Sequence, residues 1–284
     1  MAHRLYGVHE MTHAEVRTMR TADVVEAVEA RRIPVVPVAT LETHDPHLPV
    51  DVDVRLVEEV ALRAARERPD LLLAFPVVAY GYTEHTMDFP GGYTIRPQVL
   101  LEFYYDIGES IVRNGFRRLV FLNGHGSNVN VMNLAARLLT VRTPALAAAT
   151  SWWELCRGTV AERRESVFPG GMAHACELET SAYLSVEPDR VELEAAEDVV
   201  STLNNEWTYS DLAGAGPVQL VPWWSQTSAN GTEGTPSLAS AEKGEAFLDE
   251  AARNLIAFGA WFRDLELPEK RDRRPPAARW DPAR

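Results

Sequence analysis

Lysine is almost missing from this chain. Of 28 basic residues only Lys243 and Lys270 are lysines, and 41 acids leave a net charge of −13. So acidic a protein lacks the basic patch that phosphate backbones require, and nucleic acid is excluded as an expected partner. The one arginine-rich stretch (Arg271, Arg273, Arg274, Arg279, Arg284) is short, interrupted by proline, and reads as a solvated end. Cysteine is equally scarce. Cys156 and Cys176 cannot form a disulfide scaffold and read as reduced core thiols. No run of roughly 18 apolar residues exists, so no membrane-spanning helix is expected. The opening MAHRLYGVHEMTHAEV lacks the apolar stretch of a secretory signal. These absences point to the cytoplasm and away from a membrane. At 46% hydrophobic and 24% charged residues, the 284-residue chain has the composition of a globular protein.

What is present is an alternation of strand and helix signals. Thr12-His13-Ala14-Glu15 fits a capping box that predicts a helix running to Arg31. Apolar runs at Ile33–Leu41, Leu71–Tyr80, Arg118–Asn123 and Ala145–Thr150 read as strands. Helical spacing covers Val54–Arg68, Pro97–Asn114, Asn128–Val141, Cys176–Val186 and Ala239–Leu265. This predicts an α/β fold, a layered α/β/α arrangement with a mainly parallel central sheet. Residues 1–265 are expected to form a single α/β domain, and 266–284 a Pro/Arg-rich C-terminal tail. The 202–237 segment, with Trp207, Trp223 and Trp224, looks irregular. A loop of that length is functional or a subunit contact, and its tryptophans also suit a lid or local core.

Histidines concentrate where chemistry is expected. His44, His47, His85, His125 and His174 each sit in a loop after a predicted strand or before a helix. In open α/β sheets, ligand sites form beyond the carboxyl ends of the strands. Three segments stand out. In Glu42-Thr43-His44-Asp45-Pro46-His47, residues i and i+2 of an extended chain project to one side, so Glu42 and His44 can share a pocket; Asp51 and Asp53 have the same relation. A mixed carboxylate–imidazole set suits Zn²⁺, Mn²⁺ or Fe²⁺ rather than Ca²⁺. In Asn123-Gly124-His125-Gly126-Ser127-Asn128, glycines let backbone approach a ligand closely, and a helix start offers N–H donors. In His174-Ala175-Cys176-Glu177-Leu178-Glu179-Thr180, His174 and Glu179 converge only if the helix starts between them. On a continuous helix His174 would face Glu177 instead.

Taken together, the three segments resemble the creatininase family of metal-dependent amidohydrolases. Its first motif, Glu-x-His-Gly-x-His-Leu-Pro with an Asp eleven residues after the Glu, is matched by Glu42, His44, His47, Leu48, Pro49 and Asp53, with Asp45 in place of the Gly. Asn123–Asn128 carries the NGH-G-x-N motif, and His174–Thr180 the His-Ala-x-x-x-Glu-Thr motif. Weaker matches are Tyr82–His85 with Phe89-Pro90-Gly91, and Ala241–Glu245. The resemblance runs from residue 5 to residue 265. It implies a site of two divalent metal ions, Zn²⁺ and/or Mn²⁺, with Fe²⁺ also suited. Glu42 and His125 would hold one ion, His44 the other, and Asp53 would bridge them. Creatininase has a Glu two residues after the NGH histidine where this chain has Ser127; Glu179 is the candidate ligand in its stead. The implied reaction is attack of a metal-bound hydroxide on an amide carbonyl, with His174 carrying a proton to the leaving nitrogen.

Departures from the family bear on substrate. Gly170-Gly171 occupies the place of a Trp-Asp pair that helps creatininase enclose creatinine, and Gly92 replaces a Thr. Trp152 and Trp153 are read either as a pocket wall or as core. Trp153, His85, Gly126 and Ser127 are the expected substrate contacts, with Glu179 beside His174 in the catalytic set. Family members also deformylate pyrimidine nucleotide precursors and cleave a modified peptide. The net charge disfavours a nucleotide phosphate, although Arg96 could meet an anion. The expectation is an amidohydrolase other than creatininase, acting on a small cyclic amide or formamide. A lactone or ester hydrolase, and an inactive metal-binding scaffold, are the alternatives. By the same resemblance a homo-oligomer, a ring-like hexamer, is expected.

Overall fold

A computed structural model of the chain describes residues 13–44, 46–271 and 273. Four strands form one parallel sheet: β1 (Ile33–Val38), β2 (Leu72–Ala74), β3 (Arg118–Asn123) and β4 (Leu146–Ser151), in the order β2-β1-β3-β4. The helices between and after them are α1 (Thr21–Glu29), α2 (Val52–Glu67), α3 (Pro97–Arg113), α4 (Val129–Arg142), α5 (Arg157–Arg163), α6 (Glu177–Val186) and α7 (Ala241–Asp264). A two-stranded antiparallel ribbon joins β5 (Met172–His174) to β6 (Glu233–Gly234).

Both faces of the sheet are covered, which is why its strands are apolar throughout rather than alternating. Successive side chains go to opposite cores. Ile33, Val35, Val120 and Leu122 join a cluster with α2, α6 and α7. Val36, Val38, Leu119 and Phe121 join a second cluster with α1, α3 and α4. Gly244 of α7 lies so close to α6 that a Cβ there would sit 1.9 Å from the Ser181 carbonyl oxygen. No side chain larger than hydrogen fits, and the tight α6–α7 contact follows.

The predicted alternation is present with altered boundaries. Among the described residues the first helix opens at Thr21. Glu15 precedes a single turn at Val16–Thr18, and the Asp23 carboxylate accepts the Arg20 N–H at 2.8 Å to cap the true start. Thr12 lies outside the described residues, as does Asp45. The strand expected over Leu71–Tyr80 is ordered as β2 only to Ala74, since Pro76 cannot donate to a ladder; one bridge from Val78 to Val38 continues the pairing. No helix among the described residues is long and apolar enough to cross a membrane.

In this strand order the chain leaves β1 toward β2 on one side and returns to β3 on the other. The reversal opens a crevice between β1 and β3 at their carboxyl ends, the usual position of ligand sites in such sheets.

Candidate metal centre

The crevice is lined by charge. Beyond β1 the chain stays extended, and Glu42 and His44 project to the same side, as their spacing predicts. Asp51 and Asp53 do not share this relation. Asp51 precedes α2 and turns outward, taking hydrogen bonds from Tyr183 Oη at 2.8 Å and Arg190 at 2.9 Å, whereas Asp53 lies inside the first helical turn and is buried. His125 follows β3. Gly124 before it makes the approach possible: a Cβ there would fall 2.4 Å from the Asp53 carbonyl oxygen. Asn123 braces the turn by donating to the His125 carbonyl at 2.7 Å and accepting its N–H at 3.1 Å. Asn128 ties β1 to the 81–82 loop, donating to the Ala39 carbonyl at 3.1 Å and accepting the Tyr82 N–H at 3.0 Å.

The relation of His174 to Glu179, open in the sequence, is decided by where α6 begins. His174 ends β5, Ala175 turns in the left-handed region at φ 47°, and the helix starts at Glu177. His174 and Glu179 therefore both reach the crevice, while Glu177 points away to Lys243.

Among the described residues six buried side chains converge there: Glu42, His44, Asp53, His125, His174 and Glu179. His125 Nδ1 lies 3.0 Å from both Glu42 Oε1 and Asp53 Oδ2. His44 Nε2 is 3.4 Å from Asp53 Oδ1 and 4.0 Å from Glu179 Oε2. His174 Nδ1 is 3.6 Å from Glu42 Oε1, and its ring sits 4.1 Å from that of His44. Three donor triplets result, each with its atoms within 4.8 Å: Glu42-Asp53-His125, His44-Asp53-Glu179 and Glu42-His44-His174. Asp53 belongs to the first two.

Each imidazole is held from behind. His125 Nε2 donates to the Tyr82 carbonyl at 3.0 Å, His174 Nε2 to that of Thr43 at 2.7 Å, and His44 Nδ1 to that of Glu42 at 3.3 Å. A carbonyl can only accept, so the outer nitrogens carry the hydrogens. In the neutral rings the inward nitrogens are then lone pairs aimed at carboxylate oxygens. Such a pair does not attract; it needs a proton or a cation between its members. The backing of ligand imidazoles by carbonyls is the usual support of metal-binding histidines. His44 Nε2 and Asp53 Oδ2 are buried with no hydrogen-bond partner.

The titration of the group reflects the same need. Burial alone would lower the His44 imidazole, but Asp53, Glu179 and Glu42 outweigh it and raise it to about 9. His125 is likewise disfavoured as a cation by burial, yet Glu42 and Asp53 hold it well above its ordinary value. Burial and the neighbouring His44 charge push His174 down to about 4. Burial, reinforced by Asp53 and Glu42 against the pull of His44, raises Glu179 to about 7. Glu42 goes the other way: burial would raise it, but His125, His174 and His44 hold it far below the usual carboxylate range.

His85 is near, its ring stacked 6.5 Å from that of His125. Gly126 is exposed and Ser127 half-buried at the start of the turn into α4. Trp153 is buried in the apolar cluster, edge-on to Trp152, and the tryptophan that meets the site histidines is Trp224. Arg96 is exposed at the start of α3. Cys156 and Cys176 are free and buried. Thr83 escaped the sequence reading, and Trp224 reads there only as part of a lid, a local core or a subunit contact. Thr83 makes a short hydrogen bond to Glu42 Oε2 and is linked to the Thr86 hydroxyl at 2.8 Å; its place in the weakly matched Tyr82–His85 stretch was the available signal. Trp224 lies in the irregular segment, where no periodicity points anywhere.

A family profile described as creatininase, creatinine amidohydrolase, matches residues 17–258. The mycofactocin precursor peptide peptidase of Mycobacterium tuberculosis (strain ATCC 25618 / H37Rv) is 33% identical over 159 residues, 53% of this chain and 57% of that protein. The match therefore spans little more than half the length of that relative. The creatinine amidohydrolase of Pseudomonas putida is 28% identical over 228 residues, 75% of this chain and 82% of that protein. A crystal structure of creatininase superposes with a TM-score of 0.76 at 26% identity, covering 89% of this chain and 99% of the other. A manganese form of creatininase gives 0.75 at 25% identity, covering 89% and 100%. With the profile spanning most of the chain and the sheet order, crevice and clustered motifs in agreement, this protein belongs to the creatininase family.

Proposed function

We propose that the protein is a metal-dependent hydrolase that cleaves a C–N amide bond, its substrate a small cyclic amide or a formamide. The observation that carries this reading is the set of inward imidazole nitrogens facing carboxylate oxygens, each ring backed by a carbonyl. Glu42 and His125 would hold one divalent ion and His44 and Glu179 a second, with Asp53 between them. The nitrogen and oxygen donors suit Zn²⁺, Mn²⁺ or Fe²⁺. When bound, such ions make water a nucleophile at neutral pH and polarise the carbonyl it attacks.

The chain's own residues do the rest. Thr83 holds Glu42 by one oxygen and leaves the other facing His125 and His174. The Thr43 carbonyl fixes the His174 ring, whose Nδ1 faces the crevice. Lowered to about 4, His174 is neutral near pH 7 and can take a proton at Nδ1 and deliver it to a departing nitrogen. Similarity to a precursor peptide peptidase supports a second reading in which the amide belongs to a peptide. The exposed Trp207, Val218, Leu220, Val221 and Trp223 support self-association into a homo-oligomer; a sedimentation run showing only monomer would remove that part.

Metal content per chain on protein purified without chelator tests the core of the proposal. Close to two transition-metal ions are expected, with hydrolysis of cyclic amides or formamides. No uptake after dialysis against Zn²⁺ and Mn²⁺ would overturn it.

A further inference from the structure

Trp224 stands against the centre from a segment remote in sequence. Its ring meets that of His174 at 5.0 Å and that of His85 at 5.5 Å between centroids, edge-on in both cases. The indole is half-buried, so part of it remains open. Two hydrogen bonds fix it without using any charged residue of the centre: Trp224 Nε1–H donates to the Gly231 carbonyl at 2.9 Å, and the Ser225 N–H to Asp88 Oδ2 at 2.9 Å. Trp152 and Trp153 differ, since both are buried in an apolar cluster. A ring held rigidly, half open and in contact with site histidines is a recognition surface.

We propose that Trp224 determines specificity: the substituent on the nitrogen side of the scissile amide packs on its indole, and amides whose departing amine carries a planar or apolar group are preferred. This rests on the amide-hydrolase reading above. His174 is the group placed to protonate the departing nitrogen, and Trp224 touches His174, so whatever that nitrogen carries lies within reach of the indole. In the loop before His174, Gly170 and Gly171 carry no side chain, and the one aromatic, Phe168, packs on Tyr209 and Arg164. Offset or edge-on ring contacts are worth up to about tenfold in affinity beyond simple burial.

The test uses zinc-loaded full-length protein, its metal content measured, and two metal-chelating probes followed by calorimetry: acetohydroxamic acid, and its N-phenyl derivative with an aromatic ring on nitrogen. The N-phenyl probe should bind about tenfold more tightly. Trp224→Ala should abolish that preference while acetohydroxamic acid keeps its affinity, which also shows that the variant is folded and loaded. Trp224→Phe should keep most of the preference. A preference that survives in Trp224→Ala, or that is absent from the wild type, overturns the assignment. Failure of acetohydroxamic acid itself to bind the wild type would overturn the metal-hydrolase reading, and this inference with it.

Discussion

Two glutamates of one helix, two residues apart, meet opposite environments. Glu177 is buried at the first turn of α6, where it accepts from Lys243 Nζ at 2.7 Å and from the Glu165 and Ser166 N–H groups. Burial would raise its carboxyl, but these donors hold it below the ordinary value. Glu179 is also buried, but it faces Asp53 and Glu42, and His44 with a backbone hydrogen bond from Ala175 offsets burial only in part, so that it stands raised at about 7. The first acid has every oxygen answered by protein and fastens the 165–166 loop to α6 and α7. The second belongs to a group in which buried nitrogen and oxygen atoms lack partners. Burial of charge alone therefore does not mark a functional site. What marks it is charge that the protein leaves unbalanced.

Four measurements would break or sharpen this contrast. The largest effect is expected at the unbalanced centre. His125→Ala removes a donor facing both Glu42 and Asp53, and should abolish metal retention and reduce hydrolysis by more than about 100-fold; full activity in this variant would refute the site assignment. Next comes the balanced pair. Lys243→Met strands Glu177 in the interior and should cost about 3–5 kcal/mol of stability in urea unfolding. Metal affinity of the fraction that remains folded should be unchanged. Loss of metal with intact stability would make Lys243 part of the centre and erase the distinction.

A smaller change is expected one step behind the ligands. Thr83→Val leaves Glu42 Oε2 without its hydroxyl and should weaken metal binding about tenfold, with Thr83→Ser restoring it. Equal effects of both variants would mean that the threonine methyl, not its hydroxyl, matters.

The smallest effect concerns pH in chelated protein. His44 has a folded value raised from 6.5 to about 9, so its contribution is complete below 6.5 and lost as pH rises through 9. Glu179, raised from 4.5 to about 7, likewise loses its contribution as pH rises through 7. His174, lowered to about 4, acts oppositely and loses its contribution as pH falls from 6.5 toward 4. Melting temperature of the chelated protein should therefore decline from pH 7 to 9, while the opposed contributions of Glu179 and His174 largely offset each other on the acid side. Metal should abolish the alkaline decline, because the cation replaces the protons. An alkaline decline of equal size with and without metal would detach it from the centre.

Much of this was legible in the chain because the signals are local. Apolar runs and helical spacing gave the alternation, and with it the sheet. The i, i+2 pairing of Glu42 and His44 survived folding because that stretch stays extended. The same rule failed for Asp51 and Asp53, since α2 begins between them and a helix turns its side chains by 100° per residue rather than 180°. The helix expected to run to Arg31 is not continuous over residues 13–20, and Asp23 caps its start at Thr21. Trp153, which reads from its place after a strand as a pocket wall or as core, lies in the core; Trp224, which touches the histidines, is marked in the sequence only by its long irregular segment.

The sequence alone determined the main strand–helix alternation, the apolar character of the central strands on both faces, and which residue types carry chemistry, all properties set by neighbours within a few positions. Only the tertiary structure decided which of those residues meet. The strand order places the ends of β1 and β3 side by side, the start of α6 turns Glu179 inward and Glu177 outward, and the docking of residues 223–226 brings Trp224 to His174. Each is a contact between segments far apart in the chain, fixed by packing and by the left-handed turn at Ala175, and no local periodicity encodes it.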